Sequence, residues 1–143
     1  MKQLQILLFL FISLLALGQS KKLTVEQINN SGASKIYFIY NCDEAAKLAE
    51  TDIKNETVFL FLQSGEAPII YTGDKTFEEK YSIKFYEQGC IGSNCTKEYN
   101  EIIFNYLIKE YGKKWIKEIR KDVIGFKNWK KQLETLNLKQ KNQ

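Results

Sequence analysis

The run Thr57-Val58-Phe59-Leu60-Phe61-Leu62-Gln63 sets five apolar residues in a row, without the polar alternation of a strand that has one wet face. A strand of this kind needs cover on both sides, which is the situation of a parallel sheet between helices. The residues before it fit that requirement. "CDEAAKLAETDI" (42–53) carries Ala45, Leu48, Ala49 and Ile53 at helical spacing, with Asn41 or Asp43 able to cap its start. Upstream, "KIYFIY" (35–40) is a short β-rich run bounded by turn residues and predicts a buried strand. Strand, helix and strand in this order predict two parallel strands joined by a right-handed crossover.

Beyond the central run, "SGEAPIIYTGD" (64–74) is a connection holding the only proline, Pro68, with Ile69 and Ile70 expected to tuck into the core. "KTFEEKY" (75–81) predicts two helical turns capped by Asp74 or Thr76. "SIKFYEQ" (82–88) alternates and predicts a half-buried edge strand. The remainder is helical. Tyr99, Ile102, Ile103, Tyr106 and Leu107 form one stripe between Thr96 and Tyr111, with Gly112 suited to the helix end. Trp115, Ile116, Ile119 and Val123 predict a second helix, interrupted at Gly125. Phe126, Trp129, Leu133 and Leu136 predict a third. The fold expected is α/β: a small, largely parallel three-stranded sheet with a crossover helix and a C-terminal helical layer.

The N-terminal stretch has the pattern of a secretory signal, with Lys2 first, an apolar run from Ile6 to Leu17, and small residues at Ala16, Gly18 and Ser20. Cleavage is expected within 18–20, because the apolar run falls short of the roughly 20 residues of a membrane span. Removing 1–20 leaves 143 − 20 = 123 residues and lowers the net charge from +4 to +3, since only Lys2 is lost. Residues 21–34 read as a linker in which Thr24 and Gln27 can cap a brief helix that Asn29 to Ser34 dissolves. The domain proper is expected over 35–137 and a frayed tail over 138–143. The chain is thus expected to be exported, periplasmic or secreted, with no stable membrane anchor after cleavage.

Histidine is absent, which removes Ser-His-Asp and Cys-His catalytic units, His-containing zinc sites and imidazole acid–base chemistry. No Walker A, GxSxG or GxGxxG pattern occurs. A mild positive charge made almost wholly of lysine is solvated surface and not a nucleic-acid signature. Lys127, Lys130 and Lys131 around Trp129 read in the same way.

Two of the three cysteines lie in "GCIGSNC" (89–95). In an oxidising compartment the turn-capable residues between them favour a structural disulfide, Cys90 to Cys95, worth about 2 kcal/mol for so short a loop. A redox pair is the alternative, with Cys95 at the positive start of a helix, although the spacing is C-x4-C and not C-x-x-C. A metal site would need Cys42 and a carboxylate, and no metal or cofactor is expected. Cys42 is expected as a buried apolar side chain.

Arg120 is the only arginine, and its planar fork is not replaceable by lysine. The plain expectation is a salt bridge to Glu87 or Asp122. The sharper one is an anion or carboxylate ligand site formed with Asn100 and Tyr99. Phe77 and Tyr81, at i and i+4, are expected in the core.

"APIIY" (67–71), "FEEKY" (77–81), "GC" (89–90), "YNEIIFNYL" (99–107), "YGKKW" (111–115) and "IRKDVIGFKNW" (119–129) together resemble the FEKKY-domain family of small exported bacterial proteins, over about residues 67–131. Glu79 stands where the name of the family has Lys. The family has no assigned activity, so the resemblance implies export and transfers no catalytic residue. The functional expectation is a non-enzymatic exported domain that binds a partner protein or small ligand and no nucleic acid. The alternative is a thiol–disulfide redox protein using Cys90 and Cys95.

Overall fold

The computed structural model describes residues 22–63, 65, 67–89 and 92–141. The expected signal segment and Cys90 lie outside them. Helix α1 (Val25–Asn30) starts at a capping box: the Thr24 hydroxyl accepts from Gln27 N–H, and the Gln27 side chain accepts from Thr24 N–H. It is followed at once by α2 (Gly32–Lys35) and a 3-10 turn (Ile36–Phe38). The segment expected as a linker is therefore folded, with Ser31, Gly32 and Ala33 buried.

The strand expected over 35–40 does not form. Ile36 is its one fully buried anchor, whereas Phe38 is 80% and Tyr40 100% exposed. Residues of high β propensity still need a free sheet edge, and the far edge of the central strand is taken by other groups described below.

Helix α3 (Cys42–Lys54) has its start capped by Asn41, whose side chain accepts from Asp43 N–H, and it carries Asp43 and Glu44 in the first turn. Strand β1 (Phe59–Leu62) is buried at every position, as its unbroken apolar run requires. Helix α4 (Asp74–Tyr81) buries Phe77 and Tyr81 and ends at Ser82 in the left-handed conformation. Strand β2 (Lys84–Glu87) pairs in parallel with β1, from Phe59 opposite Lys84 to Leu62 opposite Glu87. The sheet has two strands, and its crossover helix is α4, not the helix at 42–54.

Helix α5 (Thr96–Tyr111) ends at Gly112 with φ of 67°. The second C-terminal helix is reduced to a 3-10 turn at Lys114–Lys117. The chain then climbs back to β1, where Ile124 N–H donates to Phe61 O and Val123 bridges Leu62 in antiparallel sense. Asn100 occupies the same edge: its side chain accepts from Phe61 N–H and donates to Phe61 O and Ile124 O at 2.9–3.0 Å. An amide thus completes the ladder that a third strand was expected to supply. Helix α6 (Phe126–Lys141) runs through most of the tail that was expected to fray.

The core lies between the sheet and α5, with Phe104, Trp115, Phe126 and Trp129 in ring contact at 5.1–6.2 Å. Each aromatic side chain buried there stabilises the fold by roughly 1.5–3 kcal/mol. Trp129 keeps its polar end satisfied by donating to Asn105 at 3.0 Å.

Candidate functional site

In open parallel sheets, ligands sit outside the carboxyl ends of the strands. Here those ends are Leu62–Gln63 and Glu87–Gln88, and α4 and α5 begin just beyond them. The start of α6 lies there too, because Gly125 packs against Lys97 in the first turn of α5.

Arg120 organises one side of this edge. Its guanidinium donates to both Asp122 oxygens at 3.0 and 2.6 Å, to Asp74 at 2.8 Å and to the carbonyl of Ile69 at 2.8 Å. Tyr71 and Phe85 lie against the same group at 4.7 and 5.6 Å. The Arg120 side chain is only 7% exposed. Its hydrogen bonds to Asp122 push its pKa up and hold the Asp122 carboxyl below the usual range. The expected bridge to Asp122 is present. Glu87 has a different task, accepting from Ile69 N–H at 3.2 Å.

This clamp fixes residues 69–71 as a strap across the edge, yet the side chains point outward. Ile69 is 56%, Ile70 85% and Tyr71 52% exposed, so the two isoleucines do not tuck into the core as expected. On the other flank, the exposed Tyr37 donates to Gln88 O at 3.3 Å, which places it by the same end of β2. Four of the nine large exposed apolar side chains among the described residues, Tyr37, Ile69, Ile70 and Tyr71, therefore flank one edge.

The anion site expected from Arg120, Asn100 and Tyr99 is not assembled. Asn100 and Tyr99 are fully buried, the first bound to β1 and the second to Asp52. Arg120 has its fork committed to two carboxylates.

The disulfide also differs from the expected pairing. Cys95 is joined to Cys42, not Cys90, with a Cα–Cα distance of 4.7 Å. The residues stand at the starts of α5 and α3, so the bond ties two helix ends across a sequence separation of 53. Redox use of Cys90 with Cys95 would first require this bond to open. One sequence signal for the true partner exists: Cys42, Ala45, Ala49 and Asp52 form a single helical stripe, and the small alanines let α5 approach closely.

That stripe ends on a feature the sequence reading missed. Asp52 is 1% exposed and accepts from Gly32 N–H at 2.8 Å, Tyr99 O–H at 2.6 Å and Thr57 O–H at 3.2 Å. Burial pushes its pKa up, and burial with the neighbouring Asp52 charge pushes Tyr99 well above its ordinary value. Every donor is supplied by the fold itself, so this cluster is a latch for the N-terminal segment.

No family model, curated protein or solved structure matches the chain. Among the described residues, no helix is long and apolar enough to cross a membrane, and no three His, Cys, Asp or Glu side chains come together as metal ligands.

Proposed function

We propose that this chain is an exported, non-enzymatic binding domain whose contact surface is the carboxyl edge of its sheet. The observation that carries the reading is the strap: Ile69, Ile70 and Tyr71 are exposed, yet a nearly buried arginine holds their backbone in place. Large apolar groups displayed on a fixed backbone are a costly surface without a partner, and a fixed backbone lowers the ordering cost of binding. The buried or paired charges at hand, Arg120 with Asp74 and Asp122, and Asp52 with its three donors, are matched internally. Export is supported by the signal pattern at 1–20 and by the Cys42–Cys95 bond, which suits an oxidising compartment. The ordered motifs of residues 67–131 that resemble the FEKKY-domain family point the same way.

The test is a photo-cross-linking residue placed at Ile70, compared with one at exposed Lys109 on α5, in cells that export the protein naturally. A discrete adduct from position 70 and none from 109 is the expected result. Equal labelling at both positions, or none at either, contradicts the reading.

A further inference from the structure

We infer that the cleft beside the strap receives an acidic residue of an extended peptide segment in a partner protein, while a neighbouring apolar residue of that segment rests on Ile69, Ile70 and Tyr71. This deepens the binding-domain reading and rests on it.

The cleft is open, about 460 Å³, and lies between Gln63 at the end of β1, the 121–125 segment and the start of α6. Its exposed polar ends are Gln63, Lys121, Lys127 and Asn128. Asp122 also lines it, but both carboxylate oxygens are bound by Arg120. Lys121 and Lys127 enter no ion pair among the described residues. Around the edge the formal charges of these six groups balance, with Arg120, Lys121 and Lys127 against Asp74, Asp122 and Glu87. They differ in where they face. The three carboxylates are turned inward to Arg120 or Ile69 N–H, and the two lysines are left to solvent. A partner at this cleft meets two lysines that have no ion-pair partner among the described residues.

The apolar strap is linked to the cleft through Arg120: one guanidinium binds both Asp122, which lines the cleft, and the Ile69 carbonyl of the strap. A peptide meets both conditions within two or three residues. The side-chain amides of Gln63 and Asn128 can donate to and accept from its backbone. The alternatives fit less well. Phosphate recognition favours an arginine fork, and the only one is committed. Single-stranded nucleic acid needs a basic groove that tracks its backbone, whereas the cleft offers two lysines. Strand addition to β1 is blocked, because Gln63 N–H already donates to Asp122 O.

The experiment is selection of a random displayed peptide library on the full exported chain, followed by binding of the selected peptides to the Lys121→Glu/Lys127→Glu double variant. Enrichment of Asp or Glu next to a large apolar residue is expected, with affinity falling about tenfold or more in the double variant and falling with added salt. Both lysines are exposed, so an unchanged thermal midpoint is expected. The milder Lys121→Gln/Lys127→Gln pair serves if charge reversal disturbs folding. Selection without acidic enrichment, or selected peptides that bind the charge variants equally, overturns the inference, and so does retention on phosphatidylglycerol vesicles that the charge variants abolish while no acidic peptide is selected. If Ile70 cross-links a partner and the peptide result fails, the binding-domain reading stands and only its acidic-peptide form falls. If Ile70 cross-links nothing, both fall.

Discussion

Tyr99 donates a 2.6 Å hydrogen bond to the Asp52 carboxylate with both side chains sealed in the core, and the charge of Lys35 lowers the Asp52 pKa less than burial raises it. One oxygen of Asp52 accepts from Tyr99 and from Gly32 N–H, and the other meets the Thr57 hydroxyl. A neutral acid satisfies this set by turning its own O–H toward Thr57.

Asp52 should therefore act opposite to most carboxylates. Its folded pKa is raised by burial above the unfolded value of about 3.9. The stability linked to its proton is complete below the unfolded pKa and is lost as pH rises through the folded pKa. Asp52→Asn keeps the accepting oxygen at Tyr99 and Gly32 and offers N–H to Thr57. It should cost under about 1 kcal/mol at neutral pH, whereas Asp52→Leu, which strands three buried donors, should cost about 1–3 kcal/mol for each. Urea unfolding from pH 4 to 8 checks this. The difference between wild type and Asp52→Asn should move in favour of the variant as pH rises. A large pH-independent loss in Asp52→Asn would contradict it.

Gly32 is the backbone side of the same latch. A Cβ there would collide with the Tyr99 ring and lie 2.8 Å from Asp52 Oδ2. Gly32→Ala should destabilise by about 1–3 kcal/mol, even though alanine is the better helix former by about 1 kcal/mol. The urea midpoint reads the sign, and a rise would show that the contact yields.

Arg120→Lys keeps the charge and removes the fork. Loss of the paired bonds to Asp122 and of the link to Ile69 O should destabilise by about 2–4 kcal/mol, and Arg120→Ala by at least as much. The telling readout is amide hydrogen exchange at Ile69. It should accelerate in Arg120→Lys more than exchange in α5, which a merely global loss of stability would not produce.

The parts of this fold that were legible in the sequence are those fixed by local pattern. The unbroken apolar run gave β1, alternation gave β2, and the stripe from Tyr99 to Leu107 gave α5 with its end at Gly112. The misread parts depend on what lies across space. "KIYFIY" has the composition of a strand, but Asn100 and Val123 fill the edge it would have joined. Trp115 to Val123 has helical spacing, but the chain must rise to bond Phe61, which breaks the helix after one turn. Ile69 and Ile70 look like core residues until Arg120 captures the backbone between them and the sheet. The salt bridge of Arg120 to Asp122 was readable because the partners are two residues apart. Its bond to Asp74, 46 residues away, was not.

The Cys42–Cys95 bond closes a long loop, and its removal should lower stability by about 4 kcal/mol on the chain-entropy relation, against about 2 for a Cys90–Cys95 loop. Unfolding with and without a reductant measures the difference. A loss near the smaller figure would speak against the long closure.

The proposed exported binding domain carries a Cys42–Cys95 bond that ties the starts of α3 and α5. Intact mass and non-reducing peptide mapping of the native protein test both the proposed export and this pairing most directly. The expected result is a mature chain beginning after a cut within 18–20, with Cys42 and Cys95 in one disulfide-linked peptide pair. Protein that retains Met1 with three alkylatable thiols, or that links Cys90 to Cys95, would contradict it.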